Sequence, residues 1–108
     1  MIELSQQKIE VKRFENKEAF ALFFYTPLCG TCKLSEQMLK VVLKMAPTLP
    51  LYKCNINLMP SLAQAWKLES IPCLIILEKG VPIQKVYAFK SVVHLYQILQ
   101  PLLDEMGE

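Results

Sequence analysis

The residues best able to do covalent chemistry are two cysteines set two residues apart, in Cys29-Gly30-Thr31-Cys32. Thiols at that spacing close into a small disulfide ring, or open to a dithiol, without unfolding anything around them. An apolar run at 20–25 precedes them, Thr26-Pro27-Leu28 breaks the run, and helical spacing follows. The pattern predicts a strand that delivers both thiols to the start of a helix. There the unpaired backbone N–H groups and the positive end of the helix dipole stabilise a thiolate, and CxxC cysteines so placed titrate between roughly 3.5 and 7.5. Cys29 is therefore the candidate nucleophile and Cys32, one turn inside, the candidate resolving thiol. CxxC is also half of a tetrathiolate zinc site. The other two cysteines, Cys54 and Cys73, stand far apart in strand-like runs and form no second knuckle, so redox chemistry is the favoured of the two readings.

The elements that must hold this pair can be read in order. Ile2 and Leu4 alternate with polar neighbours as in a short edge strand, and Ser5 is placed to cap a following helix at 6–15. The apolar residues there, Ile9, Val11 and Phe14, follow neither period cleanly. Asn16-Lys17 reads as a turn, and 19–25 as a central strand covered on both faces. Past the cysteines, Leu34, Met38, Val41, Val42 and Met45 recur at three- and four-residue steps, which predicts one buried helix face ending before Pro47. Residues 51–57 read as a strand, and Pro60-Ser61 opens a short helix carrying Leu62, Ala65, Trp66 and Leu68. The run 74–77, the Lys79-Gly80 turn and the alternating Val81, Ile83 and Val86 read as an antiparallel hairpin. Ser91 caps a last helix whose inner side is Val92, Leu95, Ile98, Leu99 and Leu102, with Pro101 expected to bend or fray its end. Alternating strands and helices predict an α/β fold: a mostly parallel central sheet, helices on both faces and one antiparallel hairpin.

Composition narrows the function classes. A chain of 108 residues corresponds to one domain, 1–108, with room for a single core. Its charge of +2 comes from interspersed residues, not from the basic stripe a nucleic-acid partner would need. An apolar content of 53% is high for so small a chain and predicts apolar surface outside the core, where a partner docks. The start of the chain lacks the pattern of a signal peptide and no segment is long enough to span a membrane, so a cytoplasmic location, with no membrane partner, is expected. In that compartment a CxxC is catalytic or metal-binding rather than a structural staple.

With Cys29-Gly30-Thr31-Cys32, Pro60 opening a short helix, Ser70-Ile71-Pro72 before a strand and Lys79-Gly80 in a hairpin turn, the sequence resembles thioredoxin nearly end to end. The resemblance implies a thioredoxin fold, a mixed sheet of about five strands flanked by about four helices. It also implies Cys29 as attacking nucleophile, Cys32 as resolving thiol, and a cis Ile71-Pro72 peptide facing the pair; proline makes the cis form accessible at about 0.5 to 1 kcal/mol. Several positions depart from the family pattern. Phe23 stands where typical thioredoxins hold a buried acid beneath the second cysteine, although the accompanying lysine is kept as Lys53. Leu28 replaces the aromatic residue before the CxxC and Thr31 the proline within it. Tyr87 stands in place of a groove glycine, and Gln37 in place of a mid-helix proline. Loss of the acid removes the usual base for Cys32 and predicts slow release of a mixed disulfide.

Three functions fit. The first is a thiol–disulfide oxidoreductase that reduces protein disulfides, contacts them through Leu28, Gly30, Thr31, Ile71 and Pro72, works as a monomer without cofactor or metal, and is recharged by a thiol or flavoprotein reductase. The second is a binding module that presents Tyr25, Pro27, Leu28, Ile71 and Pro72 to a protein, its thiols incidental. The third is metal or thiol storage. Cys73 could serve as a third redox thiol near the pair but reads first as a small buried hydrophobe, Cys54 more so, and the methionines Met38, Met45 and Met59 as core or rim filler; His94 could be imagined as a base but reads as a solvated or capping residue.

Overall fold

A computed structural model describes residues 1–15 and 18–106. Its elements are β1 (Ile2–Glu3), α1 (Gln6–Glu15), β2 (Phe20–Tyr25), α2 (Gly30–Met45), β3 (Leu51–Asn55), a 3-10 turn (Ile56–Leu58), α3 (Pro60–Ala65), β4 (Cys73–Glu78), β5 (Val81–Val86) and α4 (Val92–Met106). The strands form one mixed sheet in the order β1-β3-β2-β4-β5. The turn expected at Asn16-Lys17 lies outside the described residues.

β2 is the centre of this arrangement because its first five side chains are all apolar and none can be left in water. Phe20, Ala21, Leu22, Phe23 and Phe24 are all 0% exposed. Successive side chains of a strand point to opposite faces, so Ala21 and Phe23 enter one apolar layer while Phe20, Leu22 and Phe24 enter the other. The first layer is closed by Leu39 and Val42 of α2 and Leu95, Leu99 and Leu102 of α4; the second by Ile9 of α1 and Leu62 of α3. Each fully buried Phe or Leu contributes about 1.5–3 kcal/mol, which favours covering both faces of this strand with helices. The helix starts are local: Ser5 Oγ accepts the Lys8 N–H at 3.3 Å and Ser91 Oγ the His94 N–H at 3.0 Å.

The structure corrects several expectations. The sheet is less parallel than alternation of elements implies: β1–β3 and β2–β3 are parallel, but β4 runs antiparallel to β2 as well as to β5. β3 stops at Asn55, whose side chain caps the 3-10 turn by accepting the Asn57 N–H. On α2 the buried residues are Cys32, Ser35, Leu39 and Val42, while Leu34, Val41 and Met45 are exposed at 60%, 43% and 54%. Two apolar stripes share that helix. The one facing the sheet includes the polar Ser35, and it is chosen by the inward position of Cys32, not by hydrophobicity. On β5, Val81 and Ile83 are exposed and only Val86 is buried, because the strand lies at the edge and its pairing slips between Ile76 and Leu77, re-aiming the pleat. As expected, Pro101 lies late within the last helix, α4. Among the described residues no helix is long and apolar enough to cross a membrane.

Candidate active site

Cys29 occupies the N-cap of α2 with extended backbone, φ −97° and ψ 112°. Its Sγ accepts the backbone N–H of Cys32 at 3.1 Å, which makes the sulfur itself the capping group. Thr31 Oγ1 stands 3.2 Å from the same sulfur. Cys29 and Cys32 are joined as a disulfide, with Cα atoms 5.1 Å apart. The two are unequal in access: Cys29 is half-buried and Cys32 is 2% exposed, packed in the layer that contains Phe23, Leu39 and Leu74. Sequence position alone gives this asymmetry, since the cap residue stays at the surface and the residue one turn on points to the sheet.

The other predicted contact residues lie at the same end of the sheet. Leu28 is 97% exposed and Thr31 exposed. Gly30 begins α2, and a Cβ built there would meet nothing within 4 Å, so the fold itself does not require glycine at that point. Cys73 pairs with Phe24 across the β2–β4 ladder, so Ile71-Pro72 enters β4 beside the end of β2 from which Cys29 follows. The Ile71-Pro72 peptide is cis, and both residues are half-buried.

Phe23 is fully buried in the same apolar layer as Cys32. It stacks on Tyr25 at 6.1 Å and meets Phe89 edge-on at 5.8 Å. Lys53 is its register partner on β3, and its charge is met from another element. Lys53 Nζ donates to Oε2 of Glu36 on α2 at 3.1 Å, and Lys40 Nζ lies 3.3 Å from the same oxygen. Burial alone would raise the Glu36 carboxyl, but the hydrogen bonds and charges of Lys53 and Lys40 hold it below the usual carboxylate value. The i, i+4 spacing of Glu36 and Lys40 was a readable signal for a helix ion pair. Nothing local pointed to Lys53. Tyr25, beside this cluster, is pushed up to about 12 by burial, by a hydrogen bond to Glu3 and by the charges of Glu3 and Glu36.

The remaining cysteines lie in the opposite layer from the pair. Cys54 and Cys73 are both 0% exposed and pack with Phe24 and Ile75. Burial pushes the Cys54 thiol up to about 12, with the charge of Glu3 adding to it. It pushes Cys73 up to about 11 in spite of a hydrogen bond from Tyr87 and the charge of Lys85. Tyr87, in place of the glycine, also accepts the Glu69 N–H at 3.2 Å. Among the described residues no three His, Cys, Asp or Glu side chains gather as a metal site requires. Met59 is buried and Met38 half-buried, while Met45 belongs to the surface.

A mixed five-stranded sheet that sets a CxxC disulfide at a helix start, with a cis-proline leading into the strand β4 that neighbours β2, defines a thiol–disulfide oxidoreductase of α/β type. The chain belongs to the thioredoxin family, whose family model matches residues 2–101. It is 38% identical over 94 residues to the thioredoxin-like protein YusE of Bacillus subtilis, covering 87% of this chain and 88% of that one. A tobacco thioredoxin H-type 2 is 27% identical over 74% of this chain and 68% of its own length. Chloroplastic thioredoxin z superposes with a TM-score of 0.79 at 20% identity, covering 96% of this chain and 95% of that one. Mitochondrial thioredoxin 3 of Saccharomyces cerevisiae gives 0.77 at 19%, covering 94% of each; these two likenesses concern the fold.

Proposed function

We propose that this thiol–disulfide oxidoreductase reduces disulfide bonds in protein substrates. The observation that carries the reading is the unequal access of its two sulfurs, one capping a helix at the surface and the other buried one turn below. In the reduced protein the Cys29 thiolate attacks a substrate disulfide, forming a mixed disulfide and expelling one substrate thiolate. Cys32 then attacks Cys29 Sγ, the second substrate thiolate leaves, and two electrons have passed to the substrate. The protein is left as the Cys29–Cys32 disulfide and is recharged by a thiol or flavoprotein reductase. Exposed Leu28 and Thr31, the open space at Gly30, and the half-buried Ile71-Pro72 form the contact surface for an extended substrate segment. The chain acts as a single domain and a monomer, in the cytoplasm.

Reduction of insulin by dithiothreitol, followed by turbidity, tests this. The wild type accelerates precipitation, Cys29→Ser does not, and Cys32→Ser accumulates a mixed disulfide detectable by mass. A wild type that binds disulfide substrates without accelerating their reduction would favour the binding-module reading and overturn this one.

A further inference from the structure

We propose that Glu36 takes the proton Cys32 must lose before it attacks the mixed disulfide, and that Lys53 is the positioning residue that holds Glu36 for that task. The inference rests on Cys29 as nucleophile and Cys32 as resolving thiol. Cys32 is 2% exposed in an apolar layer, and burial without a base raises a thiol's pKa and slows its ionisation. The sheet offers no acceptor there, because Phe23 fills its strand position with an aromatic ring.

The helix offers one instead. Glu36 follows Cys32 by four residues in α2, which places their Cβ atoms roughly 5–6 Å apart on one side of the helix. Helical side chains lean toward the N-terminus, so Glu36 leans toward Cys32. Both lysine contacts fall on Oε2 of Glu36, and Oε1 accepts no hydrogen bond among the described residues. With Glu36 side-chain exposure at 17% and Lys53 at 24%, the pair is half-buried on the same sheet face as Phe23 and Cys32.

In the mixed disulfide, Cys32 Sγ–H gives its proton to the Glu36 carboxylate, directly or across one water. The thiolate so formed attacks Cys29 Sγ; the bond from Cys29 to the substrate sulfur breaks and the Cys29–Cys32 bond forms. The substrate sulfur leaves with the electron pair and takes up the proton that Glu36 releases, directly or through solvent, so Glu36 ends ionised as it began. The charged and titratable groups facing Glu36 are Lys53 from β3, Lys40 from α2 and Tyr25 from β2, the last bonded to Glu3 of β1. The lysines keep Glu36 ionised through the neutral range and Tyr25 stays neutral. An acceptor held ionised is a weak base, which sets the gain at the lower end of general-base effects, about 10²-fold.

Single-turnover quenching of the reduced full chain with a peptide disulfide, between pH 4 and 9, separates formation of the mixed disulfide from its resolution. Wild type is expected to resolve at a rate nearly flat through the neutral range. Glu36→Gln forms the mixed disulfide as fast but resolves it about 10²-fold more slowly, its rate rising tenfold per pH unit because hydroxide is then the base. Lys53→Met moves the acid limb of the wild-type profile to higher pH, which a purely structural role would not do. Resolution by Glu36→Gln with wild-type rate and pH profile overturns the proposal, as does an unmoved acid limb in Lys53→Met. Failure of the wild type to form a mixed disulfide at all would overturn the reductase reading and this proposal with it; normal formation with unchanged resolution overturns this proposal alone.

Discussion

Treating the reduced protein with a brief pulse of iodoacetamide at pH 7 should label Cys29 and spare Cys54 and Cys73 by more than about 10³-fold. Three magnitudes decide this. A thiol at about 12, as for Cys54, is one part in about 10⁵ thiolate at pH 7, and one at about 11, as for Cys73, one part in about 10⁴. A cysteine at a helix start is at least about one-quarter thiolate even at the top of its usual range. Thiolates of low pKa are less nucleophilic, which returns roughly two of those orders to the buried thiols. Burial then outweighs that return: β3 and β4 are internal strands, and exposing a 0% accessible sulfur there requires opening close to global unfolding, about 5–15 kcal/mol, or at least about 10³ in population. Peptide mapping by mass spectrometry reads the outcome, with Cys29→Ser as the control in which no fast-reacting thiol remains. Labelling of Cys54 or Cys73 in the folded protein at a rate within tenfold of Cys29 would refute the reasoning, and dominant labelling of Cys32 would reverse the two roles.

Further outcomes follow from the same geometry. Because the folded pKa values of Cys54 and Cys73 lie above their unfolded value of 9.0, the native state binds more protons between about pH 9 and 11, and stability must fall as pH rises through that window. The loss should be on the order of 1 kcal/mol per thiol by pH 10, measured by urea unfolding; Tyr25, also raised, adds a smaller part, so Cys54→Ala should lower the slope without abolishing it, and an unchanged slope would contradict the assignment. Thr31→Val removes the hydroxyl 3.2 Å from Cys29 Sγ and with it a donor to the thiolate. The reduced form is then less stable, and glutathione equilibration should give a potential about 20–30 mV more negative, with Thr31→Pro moving the same way; a less negative value in either variant would be inconsistent with the hydroxyl's role. Gly80→Ala should destabilise by roughly 2 kcal/mol in thermal or urea unfolding, since φ is +79° and the new Cβ would lie 2.8 Å from the Arg13 carbonyl oxygen.

What could be read from sequence was what nearest neighbours control. The unbroken apolar run of β2 had to be covered on both faces; Cys29 had to fall at a helix start because a strand, a proline break and helical spacing meet there; Ser5 and Ser91 cap the helices that follow them. Each of these depends on residues within one turn or one strand of each other. Choices between equivalent local options were beyond it. Leu34, Val41 and Met45 are as apolar as the residues α2 buries, and only docking Cys32 against the sheet fixes which stripe of α2 turns inward. The apolar run of β4 suits a parallel or an antiparallel neighbour equally, and its direction beside β2 follows from the path of the chain through Pro72. Lys53 lacked a partner in sequence because its carboxylate, Glu36, is 17 residues away on another element. Ion pairing across layers depends on side-chain reach in three dimensions, and periodicity along the chain carries no information about it.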